Sequence, residues 1–194
     1  MKMSYKNIPH YPGVYEKVCV IKGDITQMEV DAIVNSAHHT LLAGSGVCGA
    51  IHQAAGKELE KECRKIVKED SLPGQVPLTK GYNLKAKYVL HVIVPHAKEH
   101  GKISTSEKKA LVKCYKEAVY TANRCGIKTL AFPSLGTGIR GYPIKKVAKL
   151  VIKTLIEYLD EYVPEAFKKV YIVTYSDNDY QAYKHAYDNN LPES

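Results

Sequence analysis

Two glycine-rich stretches each lead from an apolar run into a helix-forming run. The first is Ala43-Gly44-Ser45-Gly46-Val47-Cys48-Gly49. The second is Pro133-Ser134-Leu135-Gly136-Thr137-Gly138-Ile139-Arg140-Gly141-Tyr142-Pro143. Glycine lets backbone approach a ligand closely. A helix N-terminus adds N–H groups without intrahelical partners and a positive potential, both suited to phosphate. One such loop reads equally well as a turn, whereas two can clamp a diphosphate from both sides. Neither contains Gly-Lys-Ser/Thr, so neither is a Walker-type nucleotide loop.

The remaining informative polar residues follow other apolar runs. Asp24 comes after the run ending at Ile21. Asn35, Ser36 and His38 come after the run ending at Val34, and Tyr175–Asp177 after the run ending at Thr174. Open α/β sheets bind ligands in the crevice beyond the carboxyl ends of their strands. The four segments are therefore expected to converge on one cleft. His38, with an ordinary pKa near ~6.5, makes binding of an anion there stronger towards acid pH. Cys48 sits at a helix N-terminus, which can lower a thiol pKa. No His or Asp partner for it is identifiable, so it reads first as a packing residue and only second as a nucleophile. His39 reads as exposed loop.

The elements that must hold these residues can be read from the pattern. Val18–Ile21, Ala32–Val34, Tyr88–Val94, Thr129–Phe132 and Val170–Thr174 are short runs rich in Val and Ile. They do not alternate cleanly, which suits strands covered on both faces. Apolar residues from Ile144 to Leu159 repeat at helical spacing, predicting a helix over Pro143–Asp160 with proline at its start. Leu111, Tyr115, Ala118 and Ala122 predict another, with Ser104 and Glu107 as its capping box. Ala50, Ile51, Ala54 and Ala55 mark a shorter helix after the first glycine loop. Tyr180, Tyr183 and Tyr187 line a last helix as packing residues. Ser71–Thr79 and His96–Ser106 read as surface loops.

Strands alternating with helices imply an α/β fold, a sheet between helical layers. The 194 residues suit one domain spanning 1–194, with its core over about 18–187 and an irregular lead-in over 1–15. No apolar stretch approaches a membrane span, and the N-terminus lacks an apolar h-region. The five cysteines are odd in number, widely spaced and without CxxC, which argues against a disulfide framework or a metal site. An intracellular site, cytoplasmic or nuclear, is expected, as is a monomer. The net charge of +8 favours anionic partners in general. The lysines are scattered in sequence and read mostly as solvated helix faces.

Several segments together resemble the macrodomain family. They are Gly23-Asp24-Ile25-Thr26, Val30–Ala37, and Gly44–His52 with Ala54-Ala55-Gly56. Lys80–Leu84 with Tyr88–His91, the Gly136–Ile139 loop and Val173-Thr174-Tyr175 follow in the same order and spacing. The resemblance runs from about Val18 to Tyr187. It implies a three-layer α/β/α sandwich with a central mixed, mostly parallel sheet. It also implies that the partner is ADP-ribose or an ADP-ribosylated protein, with no cofactor. By that resemblance Asp24 accepts from the adenine amino group beside the Ile25 backbone, and Tyr175 stacks on adenine. Gly44, Ser45, Gly46 and Val47 hold the diphosphate from one side; Gly136, Thr137, Gly138 and Ile139 hold it from the other. Asn35 is expected to tie the loop together, and His52 and His91 to be satisfied framework residues.

Departures from the family pattern gather around the distal ribose. The family's Asn-Ala-Ala-Asn is here Asn35-Ser36-Ala37-His38. Its Gly-Val-Asp-Gly is Gly46-Val47-Cys48-Gly49, and its aromatic after Ile is Arg140. Arg140 would contact phosphate or point to solvent. His38 and Cys48 stand at the positions where catalysis would fall. Retained binding with altered or lost turnover follows, because misplacing a ribose costs rate more than affinity. The first reading is a binding module. The second is a mono-ADP-ribosyl hydrolase or an O-acetyl-ADP-ribose deacetylase. A basic nucleic-acid-binding module stands last.

Overall fold

The computed structural model describes residues 13–68 and 76–190. A one-turn helix α1 (Val14–Lys17) leads into β1 (Val18–Lys22). A short 3₁₀ turn (Ile25–Gln27) precedes β2 (Ala32–Ala37), and α2 (Gly46–Ala55) runs almost directly into α3 (Lys57–Lys68). There follow β3 (Leu78–Lys80), β4 (Tyr88–Ile93), α4 (Thr105–Arg124), β5 (Thr129–Pro133), α5 (Ile144–Tyr162), β6 (Lys169–Thr174) and α6 (Asp177–Asp188).

The strands form one six-stranded sheet in the order β1-β6-β5-β2-β4-β3. Every neighbouring pair is parallel except β3–β4, which is antiparallel. The five parallel strands therefore all end on the same edge. Their side chains alternate between two apolar layers. Ala32, Val34, Leu90, Val92, Leu130, Phe132, Val170 and Ile172 pack with Leu111, Tyr115, Val151 and Tyr183 from α4, α5 and α6. Ile33, Val89, Ala131 and Val173 pack with Ile51, Ala55, Leu59 and Cys63 from α2 and α3. Both faces of the strands are buried, which is why their sequences run apolar without a solvent period.

The expected helices are present with shifted ends. At α4 the Ser104 hydroxyl accepts from the Glu107 N–H, and the Glu107 carboxylate accepts from the Ser104 N–H at 2.7 Å, completing the capping box. Tyr183 is fully buried, as a packing tyrosine should be.

Three elements depart from the sequence reading. Helix α3 has charged residues at most positions, and only Leu59, Cys63 and their neighbours anchor its inner side. The predicted loop Ser71–Thr79 ends in β3, where Leu78 pairs with Leu90 and Lys80 with Tyr88; residues 71–75 lie outside the described residues. Within the expected irregular lead-in, Val14 and Tyr15 belong to α1, and Val14 is buried in the core. Among the described residues no cysteine is paired, and no helix is long and apolar enough to cross a membrane.

Candidate functional site

A cleft of about 650 Å³ opens where the parallel strands end. Of the expected site residues, Asp24, Ile25, Ser36, His38, Gly44, Ser45, Gly46, Val47, Cys48, Gly136, Thr137, Gly138, Ile139, Arg140 and Tyr175 all line it. Asn35 does not; it is fully buried beneath the cleft. Strand order sets the sequence along the floor. Asp24 follows β1, Tyr175 follows β6, the second glycine loop follows β5, and the first follows β2. His96, which follows β4, closes the far end. At about 4.8 Å per strand, four steps span roughly 19 Å, room for an extended chain of several rings and phosphates.

At the β1 end, Asp24 caps the 3₁₀ turn. Its Oδ1 accepts from the Thr26 N–H at 2.9 Å and from the Thr26 hydroxyl at 2.7 Å. Both bonds use one oxygen, so Oδ2 is available as an acceptor. Tyr175 is 85% exposed and Ile139 is 76% exposed. Large apolar surfaces left bare around a concave site mark a place where a ligand fits. Asp179, in the first turn of α6, also lines this end.

The first glycine loop delivers the N-terminus of α2. Ser45, its N-cap, makes no side-chain cap bond, so the first amides of the helix are not spent on it. Gly46 adopts φ 61, in the left-handed region. A Cβ on Gly49 would collide with the carbonyl oxygen of Gly44, so the loop lies on that glycine. The second loop is braced from below. The Thr137 hydroxyl donates to the Ser134 hydroxyl at 2.8 Å, and Ser134 donates to the Tyr183 hydroxyl at 3.2 Å. From the side, the Ala97 N–H donates to the Arg140 carbonyl at 2.8 Å and the Gly101 N–H to the Gly141 carbonyl at 2.8 Å. Arg140 donates from Nη2 to the carbonyl of Ala37 at 3.0 Å, tying the second loop to the end of β2.

Under the cleft lies a polar cluster. Asn35 Nδ2 donates to His91 Nδ1 at 3.2 Å, which leaves the His91 proton on Nε2, 2.9 Å from the Thr79 hydroxyl. Burial, with His52 nearby, pushes the His91 pKa down to about 3 and keeps the ring neutral. His91 is thus the satisfied framework residue expected. His52 is not: it is buried, and neither ring nitrogen has a hydrogen-bond partner. It lies beside Cys48. Burial raises the Cys48 pKa, but His52, Asn35 and the Gly44 backbone outweigh it and leave the thiol below its ordinary range. Sγ also donates to the Leu42 carbonyl at 3.6 Å. Cys48 therefore has a histidine neighbour one helical turn further along α2, a partner that the i,i+4 spacing could have revealed.

At the far end, His38 Nδ1 accepts from the Thr40 N–H at 3.3 Å and contacts the Thr40 hydroxyl at 2.8 Å. An amide can only donate, so the neutral ring carries its proton on Nε2. Partial loss of water, and then the neighbouring cations His39, Arg140 and His96, lower the His38 pKa. Among the described residues no cluster of three or more metal-ligating side chains is present.

Sequence reasoning missed Asp179 and His96. Asp179 looks like an ordinary first-turn acid. His96 carried a usable signal, since it follows an apolar run as the other site segments do.

The Macro domain family model matches residues 34–151. The chain is 40% identical over 178 residues to the ADP-ribose glycohydrolase MACROD2 of Xenopus laevis, covering 92% of this chain and 41% of that protein. It is 39% identical to a macro domain-containing protein of Caldanaerobacter subterraneus, covering 89% of this chain and 97% of the relative. The solved macrodomain of Oceanobacillus iheyensis with ADP superposes with a TM-score of 0.79 at 33% identity, covering 88% of this chain and 89% of that one. The chain thus spans less than half of the frog protein but nearly all of the two bacterial ones.

Proposed function

The chain belongs to the Macro domain family, and from that premise we propose that it binds ADP-ribose, free or attached to a protein. One observation carries the reading: two backbone-amide loops, an acid and an exposed aromatic share a single elongated cleft. In this reading adenine lies at the β1 end. Its amino group donates to Asp24 Oδ2 beside the Ile25 backbone, and Tyr175 covers its face. The diphosphate lies between the Gly44–Val47 and Gly136–Ile139 amides, and the distal ribose reaches Ser36, His38 and Arg140. ADP in the Oceanobacillus structure and the frog relative's name agree with such a ligand. Calorimetry with ADP-ribose tests the reading, and no heat of binding at millimolar ligand rejects it.

The name of the frog relative favours a second reading, hydrolysis of the bond between the distal ribose and its acceptor. Cys48 and His38 flank that end of the ligand. Turnover requires a water held against the anomeric carbon, and a side chain that orients the ribose. A time course on a mono-ADP-ribosylated protein separates the two. Bound but unreleased label identifies a binding module; released ADP-ribose, lost in His38→Ala, identifies a hydrolase.

A further inference from the structure

The cleft is electrically asymmetric. Its lining carboxylates, Asp24 and Asp179, follow β1 and β6. Beyond β2 and β4 the lining turns to His38, His96 and Arg140. More groups of the same kind stand around that mouth. The His39 ring centroid lies 3.9 Å from that of His38. His100 lies against Gly141, next to Arg140. The charged groups acting on His38 are His39, Arg140 and His96, all cations when protonated. The carboxylates of the neighbouring 96–107 segment are already committed. Glu99 pairs with Lys102 at 2.6 Å, while Glu107 accepts from the Lys98 N–H at 2.7 Å and from Ser104. Lys98 is exposed in the same segment.

We propose that this histidine-rich mouth receives the polypeptide segment that bears the ADP-ribosyl group, and that the segment is acidic. The proposal rests on the function proposed above, because that reading places the distal ribose, and so its attachment, at this end. The mouth continues the cleft, so whatever is bonded to the ribose emerges among His38, His39, His96, His100 and Arg140. Carboxylates flanking the attachment would pair with Arg140 and with histidines that take up protons on binding. A nucleic-acid partner fits less well. It calls for a row of permanent cations and for rings on which bases stack. Here most of the cationic groups are titratable, and the exposed tyrosines lie elsewhere: Tyr82 and Tyr88 between β3 and the start of β4, Tyr120 and Tyr162 on α4 and α5, and Tyr175 at the adenine end.

The test compares synthetic peptides bearing one ADP-ribosyl group, flanked by Asp and Glu or by Asn and Gln, with free ADP-ribose. Calorimetry is run at about pH 6 and about pH 8, where histidine charge differs most. The acidic peptide is expected to bind about fivefold tighter than the amide peptide at the lower pH, with the advantage shrinking at higher pH and in salt. Proton uptake should appear as a dependence of the measured heat on the buffer. His39→Gln combined with His100→Gln leaves His38 and His96 in place, so it should reduce the pH-dependent part of the preference and leave free ADP-ribose binding unchanged. Equal binding of the two peptides overturns the proposal. So does a preference that survives the double variant undiminished, or tighter binding of an ADP-ribosylated nucleic-acid end. Failure of free ADP-ribose to bind is a separate reading and rejects the proposed function along with it.

Discussion

Arg140 reaches out of the second glycine loop to donate from Nη2 to the carbonyl of Ala37, 3.0 Å away at the end of β2. The contact spans 103 residues of sequence and ties the second glycine loop to the end of the strand that precedes the first. A charge-assisted bond to a buried carbonyl contributes about 1.5–3 kcal/mol, and a half-exposed one less. Arg140→Ala should therefore weaken ADP-ribose binding about fivefold, with little change in melting temperature. Arg140→Lys should recover only part of the loss, since lysine lacks the planar fork. Calorimetry and thermal unfolding on the same samples check both.

Gly49→Ala sets a gain in helix propensity against a clash with the first glycine loop. Alanine is the better helix former by about 1 kcal/mol, which favours α2. Its Cβ, however, would meet the Gly44 carbonyl oxygen and push the first loop aside. A clash this deep with backbone outweighs that gain, so the melting temperature should fall by several degrees. The amides of the loop are misplaced regardless, and affinity should drop at least about tenfold.

In the proposed binding mode Asp24 has a local and a ligand-facing duty on different oxygens. Asp24→Asn retains a carbonyl oxygen for the Thr26 N–H but sets an amide donor where Oδ2 stood. ADP-ribose should then bind about tenfold more weakly, while the inosine analogue loses less, so the preference for adenine narrows. Asp24→Ala removes the cap as well and should cost about 1 kcal/mol of stability. Binding titrations with the two nucleotides and a denaturant midpoint decide it.

Acid stability should be governed by two carboxylates away from the ligand. The hydrogen bond from Lys87 to Asp31, with further bonds from the Lys128 and Thr129 backbone outweighing burial, lowers its pKa to about 2. Ser104, with the Lys98 and Ser104 N–H groups, lowers Glu107 to about 2. Both folded values lie below those of the unfolded chain, so the stabilisation is complete above about pH 4.5 and is lost as pH falls towards about 2. The melting temperature should drop steeply across that window. Asp31→Asn and Glu107→Gln should each flatten the slope while lowering the plateau near neutral pH.

Much of this was legible in the sequence because burial leaves a strong pattern. Ile33 and Val34 must both be apolar when helices cover both faces of β2, and the Ser104–Glu107 pair announces the start of α4. The convergence of the Asp24, Gly46 and Gly138 segments followed from strand ends alone. What escaped depends on contacts between distant segments. β3 is a three-residue edge strand defined by its partner, not by its own residues. α3 carries its apolar residues in a strongly charged context. The Arg140–Ala37 bond exists only once distant segments are folded together, whereas the place of His52 beside Cys48 follows from their i,i+4 spacing on α2.

The strand ladder stops before the rim begins. Its last pairs are Lys22 with Thr174, Pro133 with Val173 and Ala37 with Ile93. Asp24, Tyr175, His38 and His96 all come after those points. The residues proposed to meet the ligand are therefore not the ones that align the strands. Loops 38–47 and 134–142 could be exchanged with those of kindred chains, and the recipient sheet would keep its register while taking on a different appetite.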